Sequence, residues 1–444
     1  MRERSPRPGA ASQGRSAPWT PEHAESHLRS LELFGMRFGL DRMRRMMTVL
    51  GSPQEHFQSI HVVGTNGKTS TTKMVAAILG NHDLSVGSYT SPHLISYSER
   101  VQVQGKDVST HAFAAAIARA AHAAEQVNRT LAEGDHVTQF ELMSAAAFWE
   151  LARREVDVVV VEAGLGGRFD ATNVIASSVA VLTNVGLEHT RWLGPTVRDI
   201  AIEKLAVLGE RSVLVAPSGL AQEVLELARD AAGERGAELI LAEPPADSQT
   251  LSVAGGFQRE NFALARCAAE AYLTRAGIKP REREVSAAAQ RVRIPGRLQT
   301  IDTDPLTVLD SAHNPAATEA LSDALVELLD EREAVLVMGV LEDKDAASML
   351  AKLLPRFRRA WFTAPPSARA LSPSALASLA RQLGFEQAIC EPDPLLALRE
   401  ARRWASPRAA AVVATGSVYL VGKLLEHTGE RASARLPACE KMGT

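Results

Sequence analysis

"SIHVVGTNGKTSTTKMVAAIL", residues 59–79, decides the fold. Apolar β-branched residues run into Gly64, and Gly67-Lys68-Thr69 then opens a helical pattern. A strand that ends on glycine and passes at once into a helix aims backbone N–H groups and a helix N-terminus at an anion. Lys68 would reach the β- and γ-phosphates of a nucleotide, and the Thr69 hydroxyl suits magnesium. The usual loop has a second glycine five places before Gly67, where this chain has Val62. A plain turn would explain glycine and lysine alone; strand, helix and Gly-Lys-Thr together favour phosphate binding.

The pattern around this stretch repeats along the chain. Short apolar runs at Ile60–Val63, Val156–Val161, Val179–Thr183, Ser212–Val215 and Glu238–Leu241 alternate with helical stretches such as "HAFAAAIARAAHAAEQVN" and "FELMSAAAFWELARR". That alternation predicts α/β architecture with a mostly parallel sheet. "VDVVVV" lacks polar alternation, as a strand buried on both faces does. Pro295-Gly296 interrupts the pattern, and new strands are expected at Leu306–Leu309, Ala334–Val340, Ala360–Thr363 and Ala410–Thr415. The expected organisation is a tail at 1–20, a nucleotide-binding domain at 21–294, a smaller Rossmann-like domain at 295–428 and a tail at 429–444.

The chain has 444 residues, 45% hydrophobic and 23% charged, with a net charge of −3. It is long enough for two domains, and its charge gives no reason to expect nucleic acid or an anionic membrane as partner. Cys267, Cys390 and Cys439 fit neither a disulfide framework nor a zinc site and read as cytosolic thiols. No apolar run approaches membrane-spanning length, and the first residues have no apolar leader. No coiled-coil seam suggests self-association, so a cytoplasmic monomer is expected.

Other strand ends carry polar clusters. In "VDVVVVEAGLGGRFDATN" a buried strand runs into Glu162, which could hold magnesium or cap the following turn. In "VAVLTNVGLEHTRWLGPTVRDIAIEKLAVL" the cluster is Glu188, His189 and Thr190, and a histidine there is either a structural hydrogen-bonder or a ligand. Lys204 lies on a helix whose neighbours Ile202, Leu205, Val207 and Leu208 read as buried. Such a lysine snorkels to solvent or, held near a metal, loses its proton and becomes reactive. "YTSPHLISYSERVQV" offers the Ser91 hydroxyl, a hard oxygen donor or simply part of a Ser-Pro turn. In "LTVLDSAHNP" a strand ends at Asp310 with His313 beyond, and "IPGRLQ" puts Arg297 at the domain boundary, where it could reach a phosphate.

In order along the chain, "HVVGTNGKTS", "SYTSPHLISYSERV", "TQFELMSAAAF", "EAGLGGRFDATNVI", "LTNVGLEHTRWLGPTVRDIAIEK", "PGRLQ", "LDSAHNP", "MGVLEDKD" and "ATGSVYLVG" resemble the folylpolyglutamate synthase/dihydrofolate synthase family of the Mur ligase superfamily. The resemblance implies a P-loop nucleotide-binding domain followed by a smaller Rossmann-like ligase domain. It implies an enzyme that uses ATP to turn a pterin or folate carboxylate into an acyl phosphate, which L-glutamate attacks to form an amide. ATP and two magnesium ions would be required. Residue by residue, Thr65, Asn66, Gly67, Lys68, Thr69 and Ser70 match the phosphate loop. Ser91, Glu162 and His189 match metal ligands, with Lys68, His189 and Lys204 in catalytic positions and Lys204 carried as a carbamate. Asn261, Arg297, Asp310 and His313 match ATP contacts, and Asp170 matches a substrate residue near the pterin.

The chain departs from the family where Gly67-Lys68-Thr69-Ser70 replaces the usual Gly-Lys-Gly-Ser, as in Mur ligases, and where Ala163, Glu188 and Ser311 replace commoner residues. A Mur-type peptidoglycan-precursor ligase is therefore a second reading, although no UDP-muramoyl-binding segment is recognisable. A P-loop ATPase or phosphotransferase would account for the loop and Glu162 but not for Lys204 or "DSAHNP". A non-enzymatic binding module, with glycines that merely shape turns, is a third reading.

Overall fold

The structure, a computed structural model, describes residues 18–31, 38–244 and 250–428. Apart from 18–20, the expected tails at 1–20 and 429–444 lie outside the described residues. The chain forms two units, and it passes between them more than once. Besides the residues from Gln290 onward, the second unit takes Pro92–Ser96 and residues 250–259. This refines the single break expected near Ile294. The reason is apolar packing: Leu94 and Ile95 join one core of the second unit, and Ala254 and Phe257 join the other.

The first unit contains β1 (Gln58–Val63), β2 (Val86–Tyr89), β3 (Val101–Val103), β4 (Lys106–Asp107), β5 (Val158–Glu162), β6 (Val179–Leu182), β7 (Val213–Pro217) and β8 (Glu238–Ala242). They form one sheet in the order β4-β3-β2-β5-β1-β6-β7-β8. All pairings are parallel except β2 with β3 and β3 with β4. Ile60, Val62, Val63 and Val158 to Val161 are buried, so the unalternating apolar runs become the central strands. Val159 and Val161 face a core shared with the helices Thr110–Asn128 and Gln139–Arg153. Val63, Ala180 and Leu182 face a core shared with the helices Val197–Leu205 and Gln222–Arg235.

β1 is the switch point of this sheet: the chain leaves it for β2 beyond β5, while β6 and β7 lie on its other side. Ligands of open α/β sheets collect outside the carboxyl ends of strands at such a point. Val62 pairs with Glu162 and Val63 with Leu182, which brings the ends of β1, β5 and β6 to one level.

The second unit contains β9 (Gln299–Thr303), β10 (Leu306–Leu309), β11 (Ala334–Met338), β12 (Arg359–Phe362), β13 (Ala388–Cys390) and β14 (Ala411–Thr415), in the order β13-β12-β11-β14-β10-β9. Only β9 pairs antiparallel. Alternate residues feed opposite faces: Leu336, Met338 and Val413 pack on one, Val335, Val337, Val412 and Ala414 on the other. Helices cover both faces, the Rossmann-like arrangement expected. The strands that the sequence did not announce are β3, β4, β9 and β13. β3 and β13 have three residues each and β4 has two, too few to show a period.

Candidate active site

β1 ends at Val63, and the loop from Gly64 leads into the helix Lys68–Asn81. This explains the mismatch at Val62: that residue is still strand, and the phosphate loop is shorter than the usual one. Two glycines make the turn possible. A Cβ at Gly64 would lie 1.8 Å from Thr183 Oγ1, and one at Gly67, where φ is +83°, would lie 2.3 Å from Asn261 Oδ1. Gly64→Ala is therefore expected to destabilise the fold by about 1–3 kcal/mol, the usual range for overpacking. Urea denaturation checks this; a midpoint equal to that of the wild type would contradict the packing.

The loop is braced by residues just after β6. The Thr183 hydroxyl donates to Asn66 O (2.6 Å), Asn66 N–H donates to Asn184 Oδ1 (2.9 Å), and Thr65 N–H donates to Asn184 O (3.1 Å). Gly186 N–H in turn donates to Thr65 Oγ1 (3.0 Å). Sequence reading passed over Thr183 and Asn184 in favour of Glu188 and His189. A Thr-Asn pair after a buried strand marks a polar strand end but not the partner it meets.

Glu162, the last residue of β5, is 2% exposed. The Thr69 hydroxyl lies 3.0 and 2.9 Å from its two oxygens, and Ser91 N–H donates to Oε2 at 3.2 Å. The expected loop threonine, acidic strand end and Ser-Pro turn thus converge on one carboxylate. His189, which begins a short helix with φ 54°, has its Nε2 3.8 Å from Glu188 Oε1. Among the described residues no group of three His, Cys, Asp or Glu side chains could by itself hold a metal. The donors present, one carboxylate with nearby hydroxyls, fit magnesium, which prefers oxygen and is held by one or two carboxylates plus substrate phosphates.

Two lysines meet at the loop. Lys68 Nζ donates to Gly64 O (3.0 Å) and Thr65 O (3.1 Å), while Lys204 Nζ donates to the same Gly64 O at 2.7 Å. Lys204 is 3% exposed. Burial, and then the positive charge of Lys68, push its pKa down to about 7. Of the neighbours expected to be buried, Leu205, Val207 and Leu208 are, whereas Ile202, two residues from Lys204 and thus on the far side, is 37% exposed.

Asp170 is buried, and burial pushes its pKa up. Its Oδ2 accepts from Leu165 N–H (2.7 Å) and its Oδ1 from Thr172 N–H (3.0 Å), so it clamps the glycine loop that follows β5. Asn261 lies over Gly67, with Thr71 Oγ1 3.5 Å from its Oδ1. Ser70 is buried in the first turn of the phosphate helix.

In the second unit Asp310 follows β10. It accepts from Leu298 N–H (2.9 Å) and Ala312 N–H (2.8 Å), which shapes the turn that carries Arg297. Burial raises the Asp310 pKa against the lowering effect of Arg297. His313 Nδ1–H donates to Ser311 O at 2.8 Å, and Asn314 caps the helix Pro315–Leu329.

Residues 62–213 match the Mur ligase middle domain and residues 296–418 the Mur ligase, glutamate ligase domain, so the protein is an ATP-dependent ligase built from Mur ligase domains. Over 399 residues, 81% of this chain and 82% of the relative, it is 34% identical to a dihydrofolate synthase/folylpolyglutamate synthase from Mycobacterium tuberculosis. Among solved structures, Mycobacterium tuberculosis folylpolyglutamate synthase complexed with ADP and AMPPCP superposes with a TM-score of 0.83 at 31% identity, covering 92% of this chain and 99% of that one. The bifunctional folylpolyglutamate synthase/dihydrofolate synthase of Yersinia pestis, complexed with AMPPNP and a Mn ion, gives a TM-score of 0.79 at 27% identity, covering 94% and 99%. The chain belongs to the dihydrofolate synthase/folylpolyglutamate synthase family. Among the described residues no helix is long and apolar enough to cross a membrane.

Proposed function

We propose that this enzyme joins L-glutamate to the carboxylate of dihydropteroate, of a reduced folate, or of both, with cleavage of ATP to ADP and phosphate. Family membership selects this branch over the peptidoglycan one. A carboxylate is too poor an electrophile to acylate an amine at neutral pH. Its oxygen therefore attacks the γ-phosphorus, ADP leaves, and the neutral amine of glutamate adds to the acyl carbon. The phosphate then departs with the oxygen that attacked, and the amine proton goes to solvent.

The residues divide the work. Backbone N–H groups from Thr65 to Ser70 cradle the phosphates, and Lys68 turns from its loop carbonyls toward the transferring group. Glu162, Ser91 and His189 would hold magnesium with help from Thr69. Magnesium bound there supplies positive charge against the phosphoryl oxygens. Asn261, Arg297, Asp310 and His313 are assigned to ATP. Asp170 and its glycine loop are assigned to the acceptor acid.

The observation that supports this reading most is Lys204. A buried amine near neutrality, sharing an acceptor with another ammonium, is poised to attack carbon dioxide, release a proton and become a carbamate. The anion relieves the repulsion with Lys68 and adds negative charge for a metal, a role that a plain ATPase would not require. With no coiled-coil seam in the sequence, we infer a cytoplasmic monomer.

The purified enzyme should release ADP only when a pterin acid and glutamate are both present. Equal ADP release without either acceptor would favour an ATPase, and stimulation by a cell-wall precursor alone would favour the peptidoglycan reading.

A further inference from the structure

His61 lies in the middle of β1, wholly buried, in a strand whose neighbouring residues Ile60, Val62 and Val63 are apolar. Its Nε2 is 2.8 Å from Thr172 Oγ1, and that hydroxyl is 2.5 Å from Asp170 Oδ1. The proton positions follow by elimination. Asp170 accepts from backbone N–H groups through both oxygens and is assigned as a carboxylate, so the single hydroxyl proton of Thr172 goes to Asp170. The hydroxyl oxygen must then accept from Nε2–H of His61. That leaves Nδ1 as a lone-pair nitrogen, buried with no hydrogen-bond partner among the described residues.

An orphaned buried acceptor is unfavourable. A valine or isoleucine would fill a central strand position without it, so packing alone does not explain a histidine here. Burial holds the imidazole neutral, with its pKa down to about 3, which makes it a fixed donor rather than a carrier of protons.

The group held at the other end of this chain is the glycine loop. Added Cβ atoms at Gly164, Gly166 and Gly167 would lie 2.4 Å from the Phe140 ring, 2.6 Å from Leu193 and 2.6 Å from Glu203 O. Asp170 ties Leu165, near the start of this tight loop, to Thr172 at its end. We propose that His61 is a positioning residue for the acceptor acid, acting through Thr172 and Asp170 to fix the glycine loop to β1. One strand then sets both the phosphate loop, which begins just past its end, and the loop that takes the acceptor. In-line attack of a carboxylate on the γ-phosphorus requires the two loops to be held at a fixed spacing. The inference rests on the assignment of Asp170 and its loop to the acceptor.

Steady-state kinetics of His61→Leu, His61→Gln, Thr172→Val, the His61→Leu/Thr172→Val double variant and Asp170→Asn test it. His61→Leu is expected to raise KM for the pterin acid about tenfold, equivalent to about 1.4 kcal/mol, with KM for ATP little changed. His61→Gln, whose amide can donate to Thr172, should recover most of the loss. The double variant should be no worse than either single one, because both break the same chain of hydrogen bonds. Equal rises in both KM values, additive effects, or no rescue by glutamine would overturn the proposal. An unaffected His61→Leu beside an impaired Asp170→Asn would overturn it alone, whereas an unaffected Asp170→Asn would overturn the acceptor assignment beneath it. Should His61→Leu fail to fold, His61→Gln and Thr172→Val decide: a KM rise confined to the pterin acid in Thr172→Val but not in His61→Gln supports the proposal, and any other pattern contradicts it.

Discussion

Replacing Lys68 with alanine is expected to lower kcat/KM by on the order of 10²–10³-fold, the scale of removing one preorganised donor from a site of developing charge. Its ammonium is held by Gly64 O and Thr65 O at the mouth of the phosphate loop, within a short swing of any anion that the loop holds. It also lies beside Lys204, so its removal relieves repulsion in the free enzyme. The fold should therefore survive the change while the nucleotide site does not. Thermal unfolding with ATP and magnesium reads this directly. A ligand at about 100 times its Kd stabilises the native state by about 2.7 kcal/mol, and most of that protection should vanish in Lys68→Ala. Undiminished ATP protection in the variant would remove Lys68 from the site.

The second large effect concerns Lys204. Lys204→Met should abolish ligation, with a loss on the order of 10²-fold or more, because the carbamate that would help hold magnesium against the phosphates goes with it. Yet it should not destabilise the protein. With its pKa near 7 in the fold and about 10.4 in an unfolded chain, Lys204 is protonated in the unfolded state but not in the folded one across that window. The unfolded state binds the extra proton, so stability rises with pH between those values in carbon dioxide-free buffer. That rise should disappear in Lys204→Met, which keeps the apolar stem and never carries the charge. Depleting carbon dioxide should inactivate the wild-type enzyme, and bicarbonate should restore it. Recovery should be faster above pH 7, where the neutral amine predominates. Full activity without carbon dioxide, or an unmodified Lys204 in the mass spectrum of active enzyme, would overturn the carbamate.

How far the sequence led depended on whether a residue's role is local. The central strands were legible because a parallel strand buried on both faces cannot alternate, and "VDVVVV" does not. The phosphate loop was legible because its strand, glycines, lysine and helix are contiguous. The strand-end rule pointed to Glu162, but its grouping with Ser91 came only from the family resemblance. The mismatch at Val62 became intelligible only through register: paired with Glu162, it belongs to the strand.

Roles that depend on distant partners were not legible. Asn184 is an unremarkable loop residue until it is seen to accept from Asn66, and nothing in "SIHVV" says that His61 meets Thr172. Nothing in the stretch after Ser91 says which core Leu94 and Ile95 join. Their allegiance to the second unit is a packing fact, set by the core they join. Ile202 was misread because an apolar residue beside Lys204 suggests burial, whereas the face opposite Lys204 meets solvent.

The central claim is that ATP activates a pterin carboxylate before glutamate attacks it. The direct measurement uses dihydropteroate or tetrahydrofolate labelled with heavy oxygen in the reacting carboxylate, together with ATP, glutamate and the purified enzyme. Mass analysis is made of the phosphate and the pterin product. The account predicts one heavy oxygen in each phosphate released and a pterin product larger by one glutamyl residue that keeps the other heavy oxygen in its new amide. Phosphate free of the label, or ATP cleavage with no glutamylated product, would contradict it.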